Sequence, residues 1–452
     1  MKQEKIFKRK IYTQLLEWKK TSVHNSALLI EGARRIGKST IVEEFAKNEF
    51  SDYIMVDFRK ESDDFKSLFN NVKDLNDFYR KFFLSQNHVL KEGGLIIFDE
   101  VQFCPKARES IKDFVKDGRY FIIETGSLIS IKEKTENIMI PSEEKRISMY
   151  PMDFEEFLWA TEENDSFKLF KDILSTHSLI DQSIHQKYLE KFRTYMIIGG
   201  MPKVVSTFLT TNSFKLANDE KLNILKLYED DLRKHDNKYN TICGLLFDSI
   251  PTQLAKDNKR FLINSVGDKN RYQQIEKSLK DLCDFKIINI VKNVSTLESP
   301  LALNTKEDRF KLYFCDTGLL MSKLINISNE KMNEAYFNFI IGKNIINMGS
   351  IYESIAVQQL ALKDYKIYYH TYVLYDEKIN KSKTYELDLV YEEDFKVNVV
   401  EVKSSKNYTT TSLDNIKRKY PQLKINKKIF GIKNLKYESD KIVVPIYLII
   451  YL

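Results

Sequence analysis

Short, wholly apolar runs alternate along this chain with stretches in which apolar residues recur at helical spacing. Ala27-Leu28-Leu29-Ile30 is the first run, and Ile41 to Lys47 continues from it as a predicted helix. Gly93 to Phe98 and Tyr120 to Ile123 repeat the apolar theme. Strands with no polar face are buried on both sides, so the pattern predicts a parallel sheet covered by helices, an α/β architecture. Farther on, Tyr272, Ile275, Leu279 and Leu282 fall on one helical face, and Phe285 to Val291 and Phe310 to Asp316 follow as the two strands of a hairpin. Glu353 shares a helical face with Ala356 and Leu360. Alternation in Tyr385 to Val390 turns Asp388 away from Leu387 and Leu389, and in Val399 to Lys403 it sets Glu401 and Lys403 opposite Val400 and Val402. The last apolar run, Ile442 to Leu452, contains Pro445 and reads as a strand.

Chemistry attaches to the ends of these strands. Gly32-Ala33-Arg34-Arg35-Ile36-Gly37-Lys38-Ser39-Thr40 joins the first strand to its helix as a GxxxxGKS loop. Gly32 and Gly37 allow the tight turn that aims backbone N–H groups at the phosphates of a nucleoside triphosphate. Lys38 would reach the β and γ phosphates and Ser39 would ligate Mg²⁺. The second strand ends in Asp99-Glu100 at the carboxyl edge of the sheet, where Asp99 would support the metal and Glu100 would polarise the attacking water. The third ends in Thr125-Gly126-Ser127, which either hydrogen-bonds the γ-phosphate or its water through Thr125 or Ser127, or is a plain turn.

With these pieces in order the chain resembles the AAA-type ATPases of archaea and bacteria whose members carry a second domain of unknown function at the C-terminus. The resemblance rests on GARRIGKST, LIIFDEVQ, the TGS strand end, Arg146 to Phe157, and Gly199-Gly200-Met201-Pro202. It implies ATP as the nucleotide, with Mg²⁺, and no guanine-reading NKxD motif opposes this. It further implies a helical lid, a charge-neutralising role for Arg146, and nucleotide sensing by Gly200 and Pro202. The helix and hairpin near residue 280 have the layout of a winged helix, which in such ATPases serves as a lid or touches DNA; Lys269, Arg271 and Lys277 would make that contact.

In the tail, an acid on a helix, an acid on one strand and Glu-x-Lys on the next resemble the restriction-endonuclease-like PD-(D/E)xK fold, with Leu387 in place of the proline. The resemblance implies that Asp388 and Glu401, with Glu353, bind Mg²⁺ near a scissile phosphate and that Lys403 positions or deprotonates the attacking water.

Composition changes little. At 452 residues, with 43% hydrophobic and 30% charged, the chain has room for roughly three folded domains. They are expected at 1–190 (ATPase), 191–330 (lid and winged helix) and 331–452 (nuclease-like). A net charge of +7 over this length does not select a partner. Cys104, Cys243, Cys283 and Cys315 form no CxxC pair, so zinc and disulfides are not expected. No run reaches membrane-spanning length and no apolar signal core follows Met1, so a cytoplasmic protein is expected, without membrane partners. DNA, a protein partner and a second copy of the chain stand as candidate partners. Two functions follow: an ATPase whose nucleotide state gates a nuclease-like module on DNA, or a nucleotide-dependent signalling or scaffold switch whose tail binds a partner and cuts nothing.

Overall fold

The computed structural model describes residues 6–21, 25–127, 141–234, 240–256, 259–261, 272–324, 330–343, 348–376 and 380–451. The chain divides into two compact units: one holds the described residues up to Pro151 with 227–240 and 284–286, and the other holds the remainder.

The first unit is built on five strands, β1 (Ala27–Gly32), β2 (Tyr53–Asp57), β3 (Leu95–Asp99), β4 (Phe121–Ser127) and β5 (Glu144–Ser148). Their order is β2-β3-β4-β1-β5, and every neighbouring pair is parallel. All of β3 is buried, as the unbroken apolar run predicts. One face is held by an aromatic cluster in which Phe58, Phe69 and Phe98 meet with centroids 5.5–5.6 Å apart. Burying each such ring stabilises the fold by about 1.5–3 kcal/mol. Because β4 lies between β3 and β1, the carboxyl ends that carry Asp99, Thr125 and Gly32 are neighbours. The chain after β4, from 128 to 140, lies outside the described residues.

The second unit contains an eight-stranded sheet in the order β12-β13-β11-β10-β9-β8-β6-β7. Its strands are β6 (Ile288–Val294), β7 (Thr305–Phe314), β8 (Ile367–Asp376), β9 (Lys381–Glu393), β10 (Lys396–Lys403), β11 (Ile425–Gly431), β12 (Lys436–Tyr437) and β13 (Ile442–Pro445). The helix Gly349–Ala361 precedes β8; β8, β9 and β10 form an antiparallel meander; two short helices, Thr411–Asp414 and Ile416–Lys419, lead to β11, which is parallel to β10. Leu413 and Ile416 of those helices pack in one core with Leu387, Val390, Val397 and Val399.

Four expectations change. The helix Tyr272–Asp284 and the β6–β7 hairpin form, but β6 also pairs in parallel with β8, from Lys292 opposite Tyr368 to Val294 opposite His370. The hairpin is therefore part of the large sheet and not the wing of a separate small domain; Lys269 and Arg271 lie outside the described residues. The C-terminal run is a strand only to Pro445, beyond which Ile446–Tyr451 is a 3₁₀ helix; proline offers no amide hydrogen to extend a ladder.

Strict alternation also fails in β9. The register against β8 slips between Tyr368 and His370, whose partners are Val390 and Leu387, so that Leu387 and Val390, three residues apart, share one core. This is a bulge, which re-aims the residues inside it. Finally, Gly199 and Gly200 are packing residues: a Cβ on Gly199 would meet Asp316 Oδ1 at 2.2 Å, and one on Gly200 would meet Met152 O at 2.0 Å. The Gly200 amide donates to Asp316 Oδ2 at 2.6 Å, and Pro202 takes the first turn of the helix Pro202–Thr211.

Candidate functional site

The phosphate loop has the strained backbone that its sequence demands. Gly37 is left-handed at φ 90°, Arg35 at φ 67°, and a Cβ on Gly32 would sit 2.3 Å from Met149 O. Lys38 folds back into the loop, donating to Gly32 O at 3.0 Å and Ala33 O at 2.8 Å. Burial pushes its ammonium down to about 8, against the raising influence of Glu100 and Asp99. A desolvated cation held only on carbonyls is poised to receive anionic oxygens. Arg9 braces the loop from outside through Ile36 O at 2.9 Å. Arg34 is tied to Asp231 at 2.7 Å, and its carbonyl accepts from Tyr228 at 2.9 Å.

Ser39 Oγ donates to Asp99 Oδ1 at 2.7 Å, and the Thr125 hydroxyl donates to the same oxygen. Burial raises the Asp99 carboxyl, with the Thr125 and Ser39 hydrogen bonds opposing. Ser39 and Asp99 thus present hard oxygens at one point, the donor set that Mg²⁺ takes. Thr125 turns toward Asp99, so its hydroxyl orients the carboxylate. Glu100 follows at φ 54°, a left-handed residue whose carboxylate receives the Gln102 amide and lies 3.7 Å from Arg59 Nη1. Thr40 lies in the first turn of the helix Lys38–Glu49.

Arg146 is placed elsewhere. It stands opposite Leu29 on the edge strand β5, three residues or about 10 Å before Gly32 along the sheet. Its Nε donates to Glu144 Oε1 at 2.8 Å. Glu144 is also gripped by the buried Arg108 at 2.7 and 2.8 Å, and burial together with the Glu144 charge pushes the Glu124 carboxyl well up. The pairing makes Arg146 part of a structural ion network. Pro202 belongs to the second unit, where its turn packs on Asp316 as described above.

In the tail the bulge divides the four expected residues into two groups. Glu353 accepts from Lys311 Nζ at 2.9 Å and is also engaged by Tyr313 and Lys259. Lys311, wholly buried on β7, bridges on to Glu386 Oε1 at 2.9 Å, and Arg260 reaches Glu386 at 3.3 Å. Despite burial, the Lys311 and Lys259 charges hold Glu353 down to about 2; burial and the Glu353 charge raise Asp388 to about 6. Asp388 Oδ2 accepts from the Val402 amide at 2.8 Å. Glu401 instead takes the Leu413 amide at 3.0 Å and Lys403 at 2.5 Å, on the side of the short helices.

Glu353 and Asp388 therefore share one charged cluster, while Glu401 and Lys403 form another pair. Among the described residues no group of three acids, histidines or cysteines is arranged to hold a metal. Lysine ammonium groups already neutralise Glu353. Lys311, Tyr313 and Glu386 escaped the sequence reading, although a lysine and a tyrosine alternating in the apolar run Phe310 to Phe314, and an acid two residues before Asp388, were visible signals. None of the four cysteines forms a disulfide among the described residues, and no described helix is long and apolar enough to cross a membrane.

Comparison with known proteins gives three successive matches: residues 24–158 to an AAA domain, 189–331 to a domain of unknown function (DUF8612), and 348–449 to another (DUF4143). No curated protein matches the chain. Among solved structures, a Walker-type ATPase of Pyrococcus abyssi is 18% identical, over 72% of this chain and 97% of its own, at a TM-score of 0.42. The RuvB Holliday junction branch migration motor of Thermotoga maritima is 10% identical over 65% and 91%, at 0.28. Cdc6p of Pyrobaculum aerophilum is 9% identical over 74% and 93%, at 0.28. The family match and the loop geometry agree on residues 24–158: this part of the chain is similar to the AAA domain and carries its P-loop.

Proposed function

We propose that the protein binds and hydrolyses ATP with Mg²⁺ and that its nucleotide state controls the C-terminal module. The observation that carries this reading is the arrangement at the ends of β1, β3 and β4: Lys38 withdrawn into the phosphate loop, and Ser39 and Asp99 sharing a hydrogen bond at 2.7 Å. Lys38 and the loop amides would bind the triphosphate; Ser39 and Asp99 would hold Mg²⁺, which when bound neutralises charge on the phosphate oxygens. Glu100, steadied by Gln102 and Arg59, would orient the water.

For the tail, the order helix, three-strand meander, helix, parallel strand supports a restriction-endonuclease-like fold, a likeness of fold alone. The lysines on Glu353 favour the second of the two functions, a nucleotide-driven switch whose tail binds a partner without cutting DNA. The test is Mg²⁺-dependent ATP turnover with and without single- and double-stranded DNA, beside Lys38→Ala and Asp388→Ala. Turnover that vanishes in Lys38→Ala, with DNA left intact, supports the switch. DNA cleavage lost in Asp388→Ala restores the nuclease, and absent turnover overturns the ATPase.

A further inference from the structure

The second unit holds a cleft of about 780 Å³ that the sequence does not announce. Two of its edges are the chain just beyond β10, Ser404 to Lys406, and just beyond β11, Ile432 to Leu435. These strands are parallel neighbours, so the cleft opens at their carboxyl ends, where α/β sheets place ligands. The facing wall comes from the helix Gln182–Ile198, through Leu189 and Arg193.

Arg193 is the telling residue. It is only 7% exposed, yet among the described residues no carboxylate pairs with it. Its Nε donates to the Tyr352 hydroxyl at 3.3 Å and its Nη1 to Ile340 O at 2.9 Å, both neutral acceptors, and among the described residues no hydrogen bond is formed by Nη2. Gly342, at φ 81°, leaves the space beside the guanidinium clear: a Cβ there would come within 3.0 Å of Nη1 and 3.3 Å of Nη2. A buried guanidinium without a counterion is costly unless an anion completes it.

Around it the lining is basic. Lys406, Lys433 and Lys436 join Arg193, and Glu438 is the acid among the described lining residues, bound to Lys436 at 2.9 Å. Lys433 lies 4.1 Å over the Tyr408 ring. Several cations lining one cleft with a buried guanidinium suit a multiply charged group such as phosphate better than a single carboxylate. Leu189, Ile432 and Leu435 supply an apolar wall, and the volume falls in the range of small-ligand sites.

We propose that this cleft binds a phosphate-bearing ligand of nucleotide size, with the phosphate on Arg193 and the base against the apolar wall. A free mononucleotide and the end of a nucleic-acid strand share this chemistry. The test uses the full chain carrying Lys38→Ala, so that the phosphate loop does not contribute and failure of the ATPase reading leaves the result unaffected.

Calorimetric titration with dTMP, with a 5′-phosphorylated oligothymidylate and with its unphosphorylated counterpart is expected to show saturable binding of a phosphorylated probe. Arg193→Met should weaken it about tenfold or more, the loss of a charge-assisted hydrogen bond. Lys406→Glu, on an exposed loop, should weaken it severalfold without changing the melting temperature, and decides the matter if Arg193→Met does not fold. A phosphorylated strand that binds tighter than dTMP identifies a strand end; equal binding identifies the free nucleotide. No binding by either phosphorylated probe, equal binding by the unphosphorylated strand, or binding unmoved in the folded variants overturns the proposal.

Discussion

Lys311 Nζ lies 2.9 Å from Glu353 Oε1 and 2.9 Å from Glu386 Oε1, so one buried ammonium joins two carboxylates where the sequence pattern suggests a divalent metal. Removing one partner of such a buried pair strands the other's charge. Lys311→Met is expected to destabilise the protein by about 3–5 kcal/mol in urea unfolding. The double change Lys311→Met with Glu353→Gln should cost clearly less than the sum of the single changes. Additive costs would show that the two groups are not coupled.

Asp388 provides a pH test. Its carboxyl is raised from 3.8 to about 6 by burial and by Glu353, so its charge opposes folding. That penalty is present in full above pH 6 and disappears as pH falls through 6 toward 4. Asp388→Asn should therefore raise stability at pH 8 by about 1–2 kcal/mol, a figure reduced for partial exposure, with the gain shrinking at pH 4. A variant that melts lower than the parent at pH 8 contradicts the assignment.

At the phosphate loop, Lys38 has the opposite sign. With its ammonium lowered from 10.5 to about 8 by burial, the free site loses its charge as pH rises through 8, while a bound triphosphate would keep it protonated. ATP affinity should be flat below pH 8 and fall above it, by up to about tenfold per pH unit, with proton uptake on binding. Calorimetry at pH 9 in buffers of different ionisation enthalpy measures this. Binding without proton uptake at pH 9 would mean that Lys38 does not meet the phosphates. Lys38→Ala should reduce turnover by about a hundredfold or more at any pH.

The glycines differ sharply in what they tolerate. Gly200→Ala would drive a Cβ to 2.0 Å from Met152 O and should cost about 3 kcal/mol or more, since backbone must move. Gly244, inside the helix Asn240–Leu254, has no described atom within 4 Å of the place a Cβ would take, and Gly244→Ala should stabilise by about 0.5–1 kcal/mol. Thermal melts of the two variants compare them directly; a Gly200→Ala protein as stable as the parent would contradict the close approach.

The parallel core was readable because unbroken apolar runs leave no alternative to two-sided burial, and Lys38, Ser39 and Asp99 follow from loop chemistry that the local sequence dictates. Thr125 and Glu100 were legible as candidates, but the partners of Glu100, Gln102 and Arg59, were not, since contacts between a strand end and a neighbouring loop leave no periodic signal. In the tail, period-two reasoning held for Glu401 and Lys403 and broke at Asp388, because a bulge inserts a residue without changing composition. The partner of Arg146 was not legible, because an edge strand rich in charge does not reveal which acid each base will find. Arg193 was silent for another reason: its meaning lies in the lack of a counterion, which only burial exposes.

The parallel pairing of β6 with β8 has a consequence for how the chain can be cut. A fragment beginning after residue 330 would keep the meander but lose the two strands that cover its flank, baring a row of unpaired backbone amides and carbonyls along β8. Such a fragment would also carry Glu353 without Lys311, Lys259 and Tyr313. The strands β6 and β7 within 189–331 and the meander within 348–449 thus complete one sheet, and a tail expressed alone is expected to expose the edge that β6 covers.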